Sequence, residues 1–217
     1  MIRVGGVLRP VCLLHMFDLI KYGYLAEAAL LLDDFWADDV TAFVQEYGFE
    51  LLGCGAYSTV FSIPGTPTVI KMNHASGDSW PVYAEYSMGL GDINPMLPRI
   101  YEIHKNLDNN MVIAVVERLE PARITKSIGM WNVIKAIHRD MQRGKVTKRG
   151  LRNSALSYMR IMFDIDAKGH YSPINLAKIV IWLTGKIMED YSTIDADFHS
   201  GNWMMRGKQL VLNDPIC

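Results

Sequence analysis

The stretch Asp195-Ala196-Asp197-Phe198-His199-Ser200-Gly201-Asn202 concentrates groups that could do chemistry. Phosphoryl transfer needs a carboxylate aimed at the acceptor hydroxyl. It also needs oxygen ligands for magnesium, which takes carboxylates, amide oxygens and water. Asp197 and Asn202 lie five positions apart on one loop, so they can meet these two needs from two sides of a γ-phosphate. His199 can tie the loop to its neighbours by hydrogen bonds. Twelve residues beyond Asn202, Leu212-Asn213-Asp214-Pro215 puts Asp214 after a β-prone run, a position suited to a second metal carboxylate.

Three earlier features have the same flavour. Gly53-Cys54-Gly55-Ala56-Tyr57-Ser58-Thr59-Val60 reads as a turn between two strands. Its glycines would let the backbone approach phosphates and adopt unusual dihedrals. No Gly-Lys-Ser/Thr follows, so it is not a Walker loop. Lys71 ends the strand-like run Thr68-Val69-Ile70-Lys71, from which an ammonium can reach α- and β-phosphates. Glu85, on the next helix, can hold Lys71 by charge pairing. Singly, each feature is also what an ordinary hairpin turn, strand-end lysine or solvated helix residue looks like. Their order along the chain is what gives them weight.

The elements that must position these groups are legible in outline. Residues 11 to 46 read as helical, with Leu30, Leu31, Phe35, Val40 and Phe43 at three- and four-residue steps. Gly48 punctuates, and Phe49 to Met72 then reads as three short strands in an antiparallel meander, with Pro64-Gly65-Thr66-Pro67 as a turn. A helix is expected over Ser79 to Leu90, and strands over Arg99 to His104 and Met111 to Leu119. The run Val112-Ile113-Ala114-Val115-Val116 suggests a strand buried on both faces. Beyond Pro121, helices are expected at Ile128 to Met141, Asn153 to Ile165 and Ile174 to Met188, the last apolar almost all round. Trp203 to Met205 and Leu210 to Leu212 close the chain as short β-prone pieces.

Glycine turn, strand lysine, helix glutamate, Asp-x-x-x-x-Asn loop and a following aspartate are, in order, the parts of the protein-kinase superfamily, which this chain resembles. The form Asp197-Phe198-His199-Ser200-Gly201-Asn202 is similar to the loop of atypical and antibiotic-phosphorylating kinases. The closer similarity is to the early host-takeover serine/threonine protein kinases of autographiviruses, the T-seven-like phages, where Asp-Pro stands in place of Asp-Phe-Gly. The resemblance covers about residues 48 to 120 and 190 to 216. It implies an α+β, two-lobed kinase-like fold: a small antiparallel-sheet N-lobe over 48–119, a reduced helical C-lobe over 120–217, and an N-terminal helical extension over 1–47. It implies ATP and Mg2+ as cofactors. Gly53, Gly55, Ser58 and Val60 would cover the nucleotide. Lys71 would bind the α- and β-phosphates and pair with Glu85. Glu117 to Leu119 would offer backbone groups to adenine. Asp197 would orient or deprotonate the acceptor hydroxyl, and Asn202 and Asp214 would bind magnesium.

The chain also departs from the typical kinase. Ala196, not arginine, precedes Asp197, and only three residues follow Asp214. No activation segment or peptide-docking floor is therefore expected, and acceptor binding would fall to the middle region or to a partner. The activity implied is a phage-type serine/threonine protein kinase, able to autophosphorylate and acting on host or defence proteins. The alternatives are an aminoglycoside-type small-molecule phosphotransferase, or a non-catalytic kinase-like protein that inhibits a host partner by binding.

Composition narrows the surroundings. The formal net charge is -1, which gives no global pull toward nucleic acid or an anionic membrane. One basic stretch, with Arg139, Arg143, Lys145, Lys148, Arg149 and Arg152 against Asp140, reads first as a solvated loop and second as a grip for an acidic partner. The three cysteines, Cys12, Cys54 and Cys217, fit neither a zinc site nor a disulfide framework, which suggests the cytoplasm. Cys54, inside the glycine turn, is expected to be a shielded thiol. No segment has the uncharged apolar length of a membrane span.

Overall fold

The computed structural model describes residues 2–4, 7–9, 11–122, 173–189 and 200–215. The expected helices at 128–141 and 153–165, the basic stretch at 138–152, and Asp195 to His199 lie outside the described residues. The chain divides into two compact units, Met1–Met88 with Arg99–Arg118, and Gly89–Pro98 with Leu119–Cys217.

The first unit opens with a hairpin, β1 (Ile2–Val4) against β2 (Val7–Arg9), which was not expected from the sequence. Three helices follow: α1 (Val11–Lys21), α2 (Leu25–Ala29) and α3 (Ala37–Glu46). Leu13, Met16, Phe17 and Ile20 recur at helical spacing and form the buried stripe of α1. Asp38 and Asp39 occupy the first turn of α3, where carboxylates complement the helix dipole. The helix stops at Gly48, whose φ of 73° suits glycine. There Phe49 N–H donates to the Val44 carbonyl (3.0 Å) and Gly48 N–H to that of Gln45 (3.0 Å), the two bonds of a Schellman cap.

A five-stranded antiparallel sheet comes next, in the order β3-β4-β5-β7-β6. Its strands are β3 (Glu50–Cys54), β4 (Ser58–Ser62), β5 (Thr68–Asn73), β6 (Ile100–Lys105) and β7 (Val112–Glu117). Helix α4 (Trp80–Leu90) intervenes between β5 and β6. Pro64 and Gly65 (φ 82°) turn β4 into β5, with Thr66 N–H on the Ile63 carbonyl (3.1 Å), as a type II turn demands. This sheet with its inserted helix is the N-lobe form that the resemblance implied, and the α+β class holds.

Residues 1–47 do not stand apart as an extension. Phe61, Ile70, Met72 and Ile113 on one sheet face share a buried core with Phe17, Val40 and Phe43 of α1 and α3. Phe17 meets the rings of Phe43 (5.7 Å), Tyr47 (5.6 Å) and Phe61 (5.9 Å). The reason is simple: a sheet face this apolar has to be covered, and the helices supply the cover.

In the second unit, β8 (Glu120–Pro121), β9 (Trp203–Arg206) and β10 (Gln209–Leu212) form a small antiparallel sheet in the order β10-β9-β8. Segment 89–98 buttresses it. The Arg206 guanidinium donates to the carbonyls of Pro95 (3.1 Å) and Leu97 (2.9 Å), and Leu212 N–H donates to that of Met96 (2.9 Å). Helix α5 (Pro173–Glu189) buries Leu176, Ile179, Val180 and Leu183, and its Asn175 carbonyl accepts from the Asn94 amide (3.2 Å). Among the described residues no helix is long and apolar enough to cross a membrane.

Candidate functional site

Sheet register decides which side chains meet around Lys71. Val60 of β4 and Ala114 of β7 lie directly opposite it on either side, and Gly53 of β3 lies opposite Val60. Opposed residues share a face. Gly53, Val60, Lys71 and Ala114 thus line the face turned away from the aromatic core. The turn after β3 closes through Gly55 N–H on the Ser58 carbonyl (2.9 Å). Neither Gly53 nor Gly55 has a positive φ, so the expected unusual dihedrals are not their reason for being glycine. A Cβ on Gly53 would meet nothing within 4 Å, and one on Gly55 only the Ser58 oxygen at 3.8 Å. The missing side chains instead leave open space beside the backbone. Cys54 is exposed, not shielded, because β3 is the edge strand and shows most of its residues to solvent.

Lys71 is 4 % exposed, and its ammonium stands 4.2 Å from the ring centroid of Trp80. Trp80 opens α4, and its placement traces back to the lysine's own strand. Asn73, two residues on, takes Val112 N–H (3.3 Å) on its amide oxygen and donates from its amide nitrogen to Asp78. Asp78 in turn accepts from Trp80 N–H (2.9 Å). Glu85, expected to hold Lys71, sits on the exposed side of α4, with its carboxylate 3.5 Å from Lys105. Tyr83, Ala84 and Ser87 take the inward positions of that helix, which leaves Glu85 facing solvent.

Glu117 is buried at the end of β7. Its carboxylate accepts from Arg99 N–H (2.8 Å), and its own N–H donates to the Arg99 carbonyl (3.0 Å). Leu119 follows, half-buried, in the second unit. Beside Glu117, the Arg118 guanidinium grips Glu50 with both carboxylate oxygens at 2.8 Å, which draws the Glu50 carboxyl below its usual range.

In the second unit, Asn202 ends a 3-10 turn (Ser200–Asn202) and is buried. Asn213 N–H donates to the Asn202 carbonyl (2.8 Å), extending the β9–β10 ladder by one step. Asp214 follows one residue beyond this pair. The amide oxygen of Asn202 and the carboxylate of Asp214 are donor types that magnesium takes. Asp197 lies outside the described residues.

Sequence reasoning missed Trp80, Asn73, Asp78 and Ala114. A signal existed for two of them. Asp78 just before a helix is a capping pattern, and Ala114 is the one small residue in a β-branched run, which marks a place where a neighbour needs room.

No protein-family model and no curated protein matches this chain. Solved structures similar to it include two thermostable mutants of the aminoglycoside phosphotransferase APH(4)-Ia, each a ternary complex with AMP-PNP and hygromycin B. Identity is 10% and 11%, over 80% of this chain and 69% of those chains, at a TM-score of 0.33. A likeness that low carries no functional weight.

Proposed function

We propose that this protein is an ATP- and magnesium-dependent phosphotransferase, and specifically a serine/threonine protein kinase of the phage type that acts on host or defence proteins. The observation that carries the reading is a lysine only 4 % exposed on the non-core face of the sheet, in register with Val60 and beside a glycine turn that leaves its outer side open. An ammonium on this face is a charge-assisted donor suited to phosphate oxygens. Lys71 would take the α- and β-phosphates. Asn202 and Asp214 would hold magnesium, which when bound neutralises charge on the phosphates. Asp197 would receive the acceptor hydroxyl's proton, and Glu117 to Leu119 would offer backbone groups to the base.

Transfer of the γ-phosphoryl group from labelled ATP, to this chain itself and to proteins of a bacterial lysate, tests the reading. Asp197→Ala is expected to lower the rate ~10²- to 10⁴-fold, the span of a proton-handling group. Lys71→Ala and Asp214→Asn should abolish most transfer. Undiminished transfer in all three would sink it. The second reading is a small-molecule acceptor, favoured by the Asp197-Phe198-His199-Ser200-Gly201-Asn202 form. An aminoglycoside and sugar panel in an ADP-release assay separates the two.

A further inference from the structure

We infer that Glu50 and Ser62 are positioning residues for nucleotide binding: acting through Arg118, they hold in place the main chain that would receive the base. The inference rests on the phosphotransferase reading and deepens it.

Two sets of bonds fix the chain where it leaves β7. On one side, Glu117 N–H donates to the Arg99 carbonyl (3.0 Å) and the Glu117 carboxylate accepts from Arg99 N–H (2.8 Å), just before β6 begins. On the other, the Arg118 guanidinium donates to both carboxylate oxygens of Glu50 at 2.8 Å, at the start of β3. β6 and β3 are the two edges of the five-stranded sheet. Residues 117 and 118 are therefore moored toward both edges. Ser62, the last residue of β4, completes the cluster: its hydroxyl donates to Glu50 (3.0 Å) and accepts from Arg118 (3.4 Å).

The cluster stands on the face that carries the site. Phe61 and Ile63 pack into the aromatic core, so Ser62 between them faces the other way. It shares that face with Val60, two residues back, and with Glu50, its register partner on β3. Val60 in turn lies opposite Lys71. The lysine that would take the phosphates and the clasp on Arg118 thus belong to one face, the clasp lying toward the end where β7 runs out.

A guanidinium paired through both carboxylate oxygens fixes direction as well as distance. The Arg118 side chain is 43% exposed and that of Glu50 51%, and a pair so exposed adds little to global stability. What it adds is order in the chain just beyond a strand, and a preordered chain binds its ligand at lower entropic cost. The effect belongs to affinity for the base and not to the chemical step.

The test uses the full chain, well below its melting transition. It measures the dissociation constants of AMP-PNP with magnesium and of adenosine, and the inhibition constant of tripolyphosphate. Glu50→Gln should raise the first two by the same factor, about three- to tenfold, the range set by losing the pre-order of roughly one side chain. Tripolyphosphate, which has no base, should stay within about twofold. The KM for ATP should rise while kcat changes little. Arg118→Met should match Glu50→Gln, and the double variant should be no weaker than either, because all three break one pair. Ser62→Ala leaves that pair in place and should lose less.

An adenosine constant that neither Glu50→Gln nor Arg118→Met moves overturns the inference. So do losses that multiply in the double variant. So does a tripolyphosphate constant that rises as far as that of AMP-PNP, which would mark a general loosening of the sheet. In each of these cases the unaltered protein still binds AMP-PNP and the phosphotransferase reading survives. If the unaltered protein does not bind AMP-PNP, that reading itself falls, and the inference falls with it.

Discussion

Replacing Phe17 with alanine should destabilise the sheet of the first unit, not just the helix that carries the residue. Phe17 is fully buried and its ring meets those of Phe43, Tyr47, Phe49 and Phe61, drawn from α3, the segment after it, and β4. Truncating a buried phenylalanine costs about 3–5 kcal/mol, part in lost transfer energy and part in the cavity left behind. The upper half is expected here, because rings contributed by separate elements cannot all collapse into the same hole. At roughly 2–4 °C per kcal/mol for a chain of this size, melting should fall by about 8–20 °C. The assay is thermal unfolding followed at wavelengths reporting helix and strand, with AMP-PNP binding measured well below the transition. Both signals should shift together, and binding should survive in the cold. Trp36→Ala is the control: that side chain is 81% exposed, and its loss should fall within about 0.5 kcal/mol. If Phe17→Ala lowers the helical transition alone and leaves the strand signal in place, the shared core is refuted and residues 1–47 are a separable extension.

Gly48→Ala should cost about 1–2 kcal/mol in a denaturant titration, because its φ of 73° is left-handed while the space around it is empty. Gly89→Ala, inside α4 with nothing within 4 Å, should instead gain up to about 1 kcal/mol. Equal effects at the two sites would show that backbone conformation is not the cause. The Glu50 carboxyl is held low first by its hydrogen bond from Arg118 and then by that from Ser62. A carboxyl held low in the folded state stabilises above its unfolded pKa and loses that contribution as pH falls through the folded one. The stability gap between the unaltered protein and Glu50→Gln should therefore be widest at neutral pH and close in acid; a gap independent of pH would count against it. Asp214→Asn should raise the magnesium concentration needed for half-maximal transfer more than it raises the KM for ATP, and the reverse order would move Asp214 out of the metal site.

Most strands were legible because their signals are local. Pro64-Gly65 fixes one turn by dihedral preference, and Gly48 ends a helix for the same reason. The buried run at 112–116 announces a central strand by having no polar alternation. What escaped notice was pairing across distance. Nothing in sequence spacing says that Glu85 will face Lys105, because that depends on which side of α4 the sheet claims. Trp80 over Lys71 was hidden for a related reason: it depends on where α4 begins, which the relay through Asn73 and Asp78 to the Trp80 backbone N–H fixes. The short β9–β10 hairpin, by contrast, was legible from two β-prone pieces close in sequence, and it pairs Asn213 with Asn202.

Segment 89–98 belongs to the second unit although the chain on both sides of it belongs to the first. The backbone therefore passes from one unit to the other at three places, near 88, 98 and 118. A gene split after Arg118 would strand the carbonyls of Pro95, Met96 and Leu97 on the wrong fragment, away from the Arg206 and Leu212 donors that use them. The C-terminal piece alone would be born with unmet hydrogen bonds, and only co-expression of both pieces would let it recover them. On the ribosome the same wiring means that a short loop emerges early and waits for its partners until Arg206 and Leu212 are made.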